Sequence, residues 1–573
     1  MNAREPFVFK WATLILSMLF LAAGLAVAGR PKEASSRPID PSSADRIDPK
    51  ASATDEVTSL KQQLEQQQAR IEQLLHAVEQ LTQRVEAIDH ARALAEAPAA
   101  APPKEAVQVA TTSPVVPPGR EKAVLGEPVP PRVTAAISGS ATQAEEAKRG
   151  PLAIRIGDAD LTLGGFMDFT SLFRSANVGS GLGTSFGAIP FSNVTQGRLT
   201  ETRLTAQNSR ISLKATSKVG KFDVIGYVEA DFNGFQPANG FVTSNSNTLR
   251  MRLYWVDVRR GKFEVLGGQS WSMLTPNRRG LSPHPSDIFY AQNMDTNYQV
   301  GLTWTRAAQV RFIYHPTNAW AVGLALENPQ QYVGTAVALP GPASATTSYT
   351  SQVETGSNAA TPNLHPDIIG KIAYDPTVAG KHLHVEVAGL LRSFRIFNPI
   401  TNRTATTTGG GGSLNANLEL VKNFNLILNT YYSNGGGRYI FGLGPDLIVR
   451  PDGTPSPVHA GSGIVGFEYQ FNPKTMLYGY YGGAYFQRNT AFDPATDKLV
   501  GFGYSGSSAS ANRAVQEGSF GFIQTFWKSP HYGALQLINQ YSYVTRVPWW
   551  VAAGQPKNAH LSMVYVDLRY VLP

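Results

Sequence analysis

Beyond residue 151 the chain is built from short runs in which apolar and polar residues alternate with a period of two. In TLRMRLYWVDVRRGKFEVLGGQSWS (Thr248 to Ser272), Arg250, Arg252 and Tyr254 share one parity, and Met251, Leu253 and Trp255 the other. An extended strand sends successive side chains to opposite faces, so the pattern separates guanidinium groups from large apolar groups. In a soluble sandwich the polar face meets bulk water. In a membrane barrel it lines a lumen and the apolar face meets lipid. Short turns (SKVGK, RRGK, DPTVAGK) join some strands, and longer polar runs join others, such as TATTTGGGGS and the Ala/Thr/Ser-rich run from Pro340 to Thr361. Short turns at one end and long loops at the other predict an all-β transmembrane barrel, up-and-down and antiparallel, over residues 152–573. Roughly 420 residues at about 26 per strand and loop make about 16 strands. No blade-like repeat supports a propeller.

The chain end fits closure. Val564, Val566, Leu568 and Tyr570 alternate outward against Tyr565, Asp567 and Arg569 inward. Pairing this segment with DLTLGGFMDFTSLF removes an apolar edge that would aggregate in water. On this reading Leu253 and Trp255 see lipid, while Arg250 and Arg252 see the lumen.

The first 151 residues follow other patterns. Arg4 and Lys10 precede an apolar run from Trp11 to Leu25 and the small-x-small triplet Ala26-Val27-Ala28, so residues 1–28 read as an export signal cleaved before Gly29. Residues 29–54 are expected to be disordered. From Val57, heptad a positions fall on Val57, Leu64, Ile71, Val78 and Val85, and d positions on Leu60, Gln67, Leu74, Leu81 and Ile88. Such a seam predicts an α-helical coiled coil over 55–90. β-branched residues at a with Leu at d lean towards dimers, whereas Leu64 and Ile88 lean the other way, so the strand number stays open. Residues 91–151 are rich in Pro and Ala and read as an extended linker.

Composition supports the barrel: charged residues are only 16%, with 53 Gly, 22 Tyr and 27 Phe. The chain has no cysteine, which excludes disulfides and thiolate chemistry. Residues 1–150 carry 17 Lys and Arg against 18 Asp and Glu; residues 151–573 carry 33 against 24. The excess positive charge therefore sits in the barrel, without any nucleic-acid motif. Arg210, Lys214, Arg250, Arg252, Lys371 and Arg392 share the inward parity, with His384 and Glu386 beside the last two. A ladder of such cations suits carboxylate or phosphate solutes. The plainer alternative pairs them with lumen carboxylates such as Glu229 and Asp231. The polar insertion from Trp271 to Tyr298 holds Arg278, Arg279, His284, Asp287 and Asp295, and is the candidate loop to fold inward and constrict the lumen. His382 and His384 share a strand face, but lack a third ligand, so no metal site is expected. No catalytic motif is present, and neither an enzyme nor a cofactor is expected.

These residues resemble the DcaP-like trimeric outer-membrane porins. The likeness is carried by the export signal, the coiled coil, LYWVDVRRGKFEVLGGQSWS, the pair PDIIGKIAYD and HLHVEVAGLLR, GGGRYI (Gly435 to Ile440) and the ending DLRYVLP. It implies a homotrimer of 16-stranded barrels in the bacterial outer membrane, with the coiled coil in the periplasm. It also implies passive uptake of small anionic solutes such as dicarboxylates, with Arg250, Arg252, Lys371 and Arg392 as pore-lining cations. The alternative is a structural or adhesive envelope protein, whose coiled coil tethers the outer membrane with peptidoglycan as a further partner.

Overall fold

The computed structural model describes residues 152–234, 247–284, 299–356 and 361–573. The signal, coiled coil and linker expected over 1–151 lie outside the described residues, as do Asp287 and Asp295.

Sixteen antiparallel strands close into a barrel. They are β1 (Ala159–Arg174), β2 (Arg210–Val219), β3 (Phe222–Asp231), β4 (Arg250–Arg260), β5 (Phe263–Trp271), β6 (Arg306–Thr317), β7 (Trp320–Glu327) and β8 (Asp367–Tyr374). The second half runs through β9 (Lys381–Asn398), β10 (Arg403–Val421), β11 (Phe424–Asn434), β12 (His459–Asn472), β13 (Thr475–Phe486), β14 (Asn512–Ser529), β15 (Gly533–Pro548) and β16 (Ala559–Val571). Each strand pairs with its successor, and β16 pairs with β1 from Phe166↔Val571 to Arg174↔Met563. The expected closure is therefore met. Tyr565 and Asp567 point inward and Leu568 outward, as their alternation requires.

At one end the connections are tight. Gly220 and Gly261 adopt φ of 60° and 58° in the turns SKVGK and RRGK, a left-handed conformation that two-residue hairpins demand. At the other end most connections are long, and several fold back into the barrel. One expectation fails here. TATTTGGGGS is not a loop but lies within β10. Its threonines suit a pleated strand, and its glycines admit close neighbours: a Cβ at Gly411 would sit 2.7 Å from the Ser433 Cβ. The run after Pro340 is a connection, and it carries a short helix, Ala343–Thr350.

Outward positions of successive strands are apolar and exposed: Phe169, Leu213, Val256, Phe312, Leu324, Val465 and Phe520 among them. Towards the short turns the band ends in aromatic rings, with Phe263 against Tyr314 (centroids 5.0 Å apart) and Trp320 against Tyr374 (4.2 Å). An apolar band edged by aromatic rings is the outer surface of a bilayer-crossing barrel.

The opening stretch holds a second departure. Glu229 pairs with Leu253, but its neighbour Ala230 pairs with Met251, so Arg252 is the extra residue of a β-bulge. The bulge inverts the parity of everything after it. Leu253 and Trp255 face inward at 0% and 3% exposure, whereas Tyr254 and Val256 face outward at 44% and 51%. The expectation that Leu253 and Trp255 meet lipid is thus corrected: they pack with Leu266, Trp271, Leu302 and Trp304 inside the barrel.

Candidate functional site

The described parts of the insertion after β5, residues 272–284 and 299–305, lie against the inner wall of the barrel. Where the chain leaves β5, the Met273 amide donates to Glu327 at 2.7 Å, which holds it to β7. Arg278 then reaches Glu468 of β12 through paired hydrogen bonds of 2.9 and 2.8 Å. Just before Arg278 the Asn277 amide meets Glu386 of β9, and just after it the Gly280 amide donates to Asp375 at 3.0 Å. On the return, the Val300 amide donates to Glu517 of β14 at 2.8 Å. Gly301, with φ of 100°, lies so close to β12 and β13 that a Cβ would sit 2.3 Å from the Gly463 carbonyl oxygen. Segments 272–284 and 299–305 are therefore fastened to the inner wall, the first at β7, β9 and β12 and the second at β12, β13 and β14. Within this insertion Arg279 is exposed. His284 packs edge-on against Trp255 (5.2 Å) and Tyr227 (5.7 Å). Burial first, then the charges of Lys214 and Arg259, lower its pKa to about 4, so it carries no charge at neutral pH.

The inward cations fall into two groups. Arg252 bridges Glu229 and Asp231, each at 2.7 Å, and is 1% exposed. Arg210 also lies by Glu229, at 3.6 Å. Lys371 pairs with Glu386 at 2.7 Å and donates to the Thr275 carbonyl at 2.9 Å. Arg392 pairs with Asp367 at 3.1 Å and Asp446 at 2.9 Å. Arg252, Lys371 and Arg392, expected to line the pore, are all three buried, so they brace the wall instead of lining open space. The carboxylates that cover them supply the physical reason: a buried guanidinium or ammonium needs an ionic partner. Lys214 is half-buried on the same inward parity.

Arg250 is different. Its guanidinium holds Asp231 through both oxygens, at 3.0 and 2.6 Å, but stays about one-third exposed. It borders a cavity of about 570 Å³ together with Arg306, Arg438, Trp271, Trp304, Gln269, Gln330 and Tyr332. Trp271 and Trp304 pack against each other with centroids 3.7 Å apart and ring planes tilted by 36°, and the guanidinium groups of Arg252 and Arg306 lie 5.5 and 5.4 Å from the Trp271 ring. Arg438 comes from the connection after β11, where it donates to Asp367 at 2.9 Å and to Gln330 at 3.1 Å. Three arginines from distant parts of the chain thus meet at one polar, aromatic-edged space. Guanidinium groups in such a setting attract anions and leave neutral solutes unaided.

Of these cavity residues the alternation pattern picked out only Arg250. Arg306 opens a strand, and Trp304 precedes it in a loop, so no long alternation marks either. Arg438 had a usable signal in GGGRYI: Gly435 has φ of 88°, and a Cβ on Gly437 would sit 2.3 Å from the Pro445 carbonyl oxygen. Such glycines mark a tightly folded inner loop, and the arginine following them points into the interior.

No family model matches this sequence, and no curated protein matches it. Among solved structures, the outer-membrane channel DcaP of Acinetobacter baumannii is similar, with 18% identity over 72% of this chain and 97% of that one, at a TM-score of 0.50. An anion-selective porin from Comamonas acidovorans is similar at 12% identity over 72% of this chain and 100% of that one, with a TM-score of 0.41. The barrel fold is that of outer-membrane channels of the DcaP type.

Proposed function

We propose that the protein is an outer-membrane porin: a passive diffusion channel that favours small anions, dicarboxylates among them, over cations and neutral solutes. The observation that carries this reading is the convergence of Arg250, Arg306 and Arg438 on one cavity beside an insertion fastened to the inner wall of the barrel. Net charge supports it, since the barrel region carries 33 Lys and Arg against 24 Asp and Glu. Fixed positive charge in a narrow aqueous space biases permeation, because salt at about 0.1 M screens only over roughly 10 Å. The DcaP-type fold agrees with this role. On this reading the solute meets Arg250, Arg306 and Arg438, while Arg210, Arg252, Lys371 and Arg392 keep the wall rigid. Diffusion down a gradient requires no cofactor. The reading also takes in a homotrimer, with the segment 55–90 joining protomers in the periplasm.

Liposome swelling tests it. Succinate should enter proteoliposomes faster than a neutral sugar of similar size, and Arg250→Ala with Arg306→Ala should remove that preference. Equal entry of both solutes into wild-type liposomes would overturn the anion reading.

A further inference from the structure

The outer surface of the barrel carries a cationic feature that the lumen does not use. Trp549, just beyond β15, has two arginines over its ring: the guanidinium carbons of Arg488 and Arg513 lie 4.7 and 5.8 Å from its centroid. The indole Nε1 donates to the Phe486 carbonyl at 3.0 Å, which fixes the ring against β13. Tyr485 closes the cluster edge-on at 6.1 Å. Arg488 and Arg513 are both exposed. Among the described residues neither meets a carboxylate, so two guanidinium forks stand oriented by stacking, with their donors unspent.

The height of the cluster identifies what it meets. β14 runs from the exposed Trp527, near a short turn, up to Arg513. Fourteen residues separate the two. At about 3.3 Å per residue and a tilt of about 45° they rise roughly 33 Å. An apolar core of about 30 Å thus ends just below Arg513, which stands at headgroup level. Beneath it the outward side chains Tyr485, Phe520 and Tyr541 continue the exposed apolar band. The neighbour at that depth is acyl chain, and the group above an acyl chain is a lipid headgroup. The long loops mark this as the extracellular end.

We propose that Arg488, Arg513 and Trp549 form a binding site for the phosphorylated headgroup of an outer-leaflet lipid. The planar guanidinium matches phosphate oxygens through two parallel N–H donors, and a lysine on a flexible stem would lack that preset orientation. Stacking on Trp549 holds both forks before the lipid arrives, which lowers the ordering cost of binding. The site depends on the barrel spanning the outer membrane and is independent of what passes through the lumen.

The full chain in detergent can be loaded with bis-phosphorylated lipid A or its dephosphorylated form and examined by native mass spectrometry. Wild type should retain the phosphorylated form, and Arg488→Gln with Arg513→Gln should weaken that retention roughly 30-fold, two surface cations' worth of headgroup attraction. Retention of the dephosphorylated lipid should not change, nor should heat-modifiable gel migration. Three results would overturn the proposal. The first is equal retention of both lipids by wild type, which requires no variant to detect; the second is retention of phosphorylated lipid A by the double variant at the wild-type level; the third is a changed oligomeric size with lipid retention intact, which assigns the surface to contacts between copies of the chain.

Discussion

Arg250 and Arg252 are two residues apart, and their surroundings give them different work. Arg252 sits wholly between Glu229 and Asp231. Removing it leaves two buried carboxylates short of a partner, and breaking such a cluster costs about 3–5 kcal/mol. Arg252→Ala should therefore lower the temperature at which the barrel unfolds on heat-modifiable gels. Arg250→Ala should leave that temperature nearly unchanged and reduce anion preference instead, since a part-exposed pair contributes about 1 kcal/mol or less. Both arginines are visible in the sequence as inward cations, and Glu229 and Asp231 are visible as their possible partners. Which arginine the carboxylates bury was not legible, because that depends on the register of β3 against β4. Arg306 and Arg438 join Arg250 only through contacts between distant segments, and no local spacing records such a meeting.

At the level of elements, the β-bulge at Arg252 decides which face of β4 meets lipid. Period-two counting assumes one residue opposite one residue, and a single inserted residue reverses every later assignment. The reading of Arg210, Ile211 and Leu213 on β2, or of Tyr565 to Leu568 on β16, succeeded because no bulge interrupts those stretches. Lysine substitutions separate the two registers. Tyr254→Lys or Val256→Lys should impair membrane insertion, at about 2–4 kcal/mol near the midplane. A second test concerns the inner segment. Gly301→Ala adds a methyl group where φ is 100° and the Gly463 carbonyl lies 2.3 Å from the new Cβ. The barrel should still fold, but segment 299–305 should lift from β12 and β13. Single-channel conductance should rise or become noisy in planar bilayers; conductance identical to wild type would mean that this segment does not shape the path.

For the whole molecule, the closure of the barrel and its alternation of short turns with long loops were legible in the sequence, since each rests on a local period or on turn chemistry, while the strand number came only approximately, from length. The inner apolar packing of Leu253, Trp255, Trp271 and Trp304 was not, because inward apolar residues look like lipid-facing ones until the register is known. Deleting residues 57–88 should leave a folded, conducting barrel, as the Pro-rich segment after them is expected to separate the two mechanically. The central claim, a diffusion channel biased towards anions by Arg250, Arg306 and Arg438, is tested most directly by the reversal potential in a KCl gradient across a planar bilayer. Wild type should show the sign of chloride preference, and Arg250→Ala with Arg306→Ala should move the potential towards that of cations. A wild-type potential of the cation-selective sign, or one that the double substitution leaves in place, would contradict it.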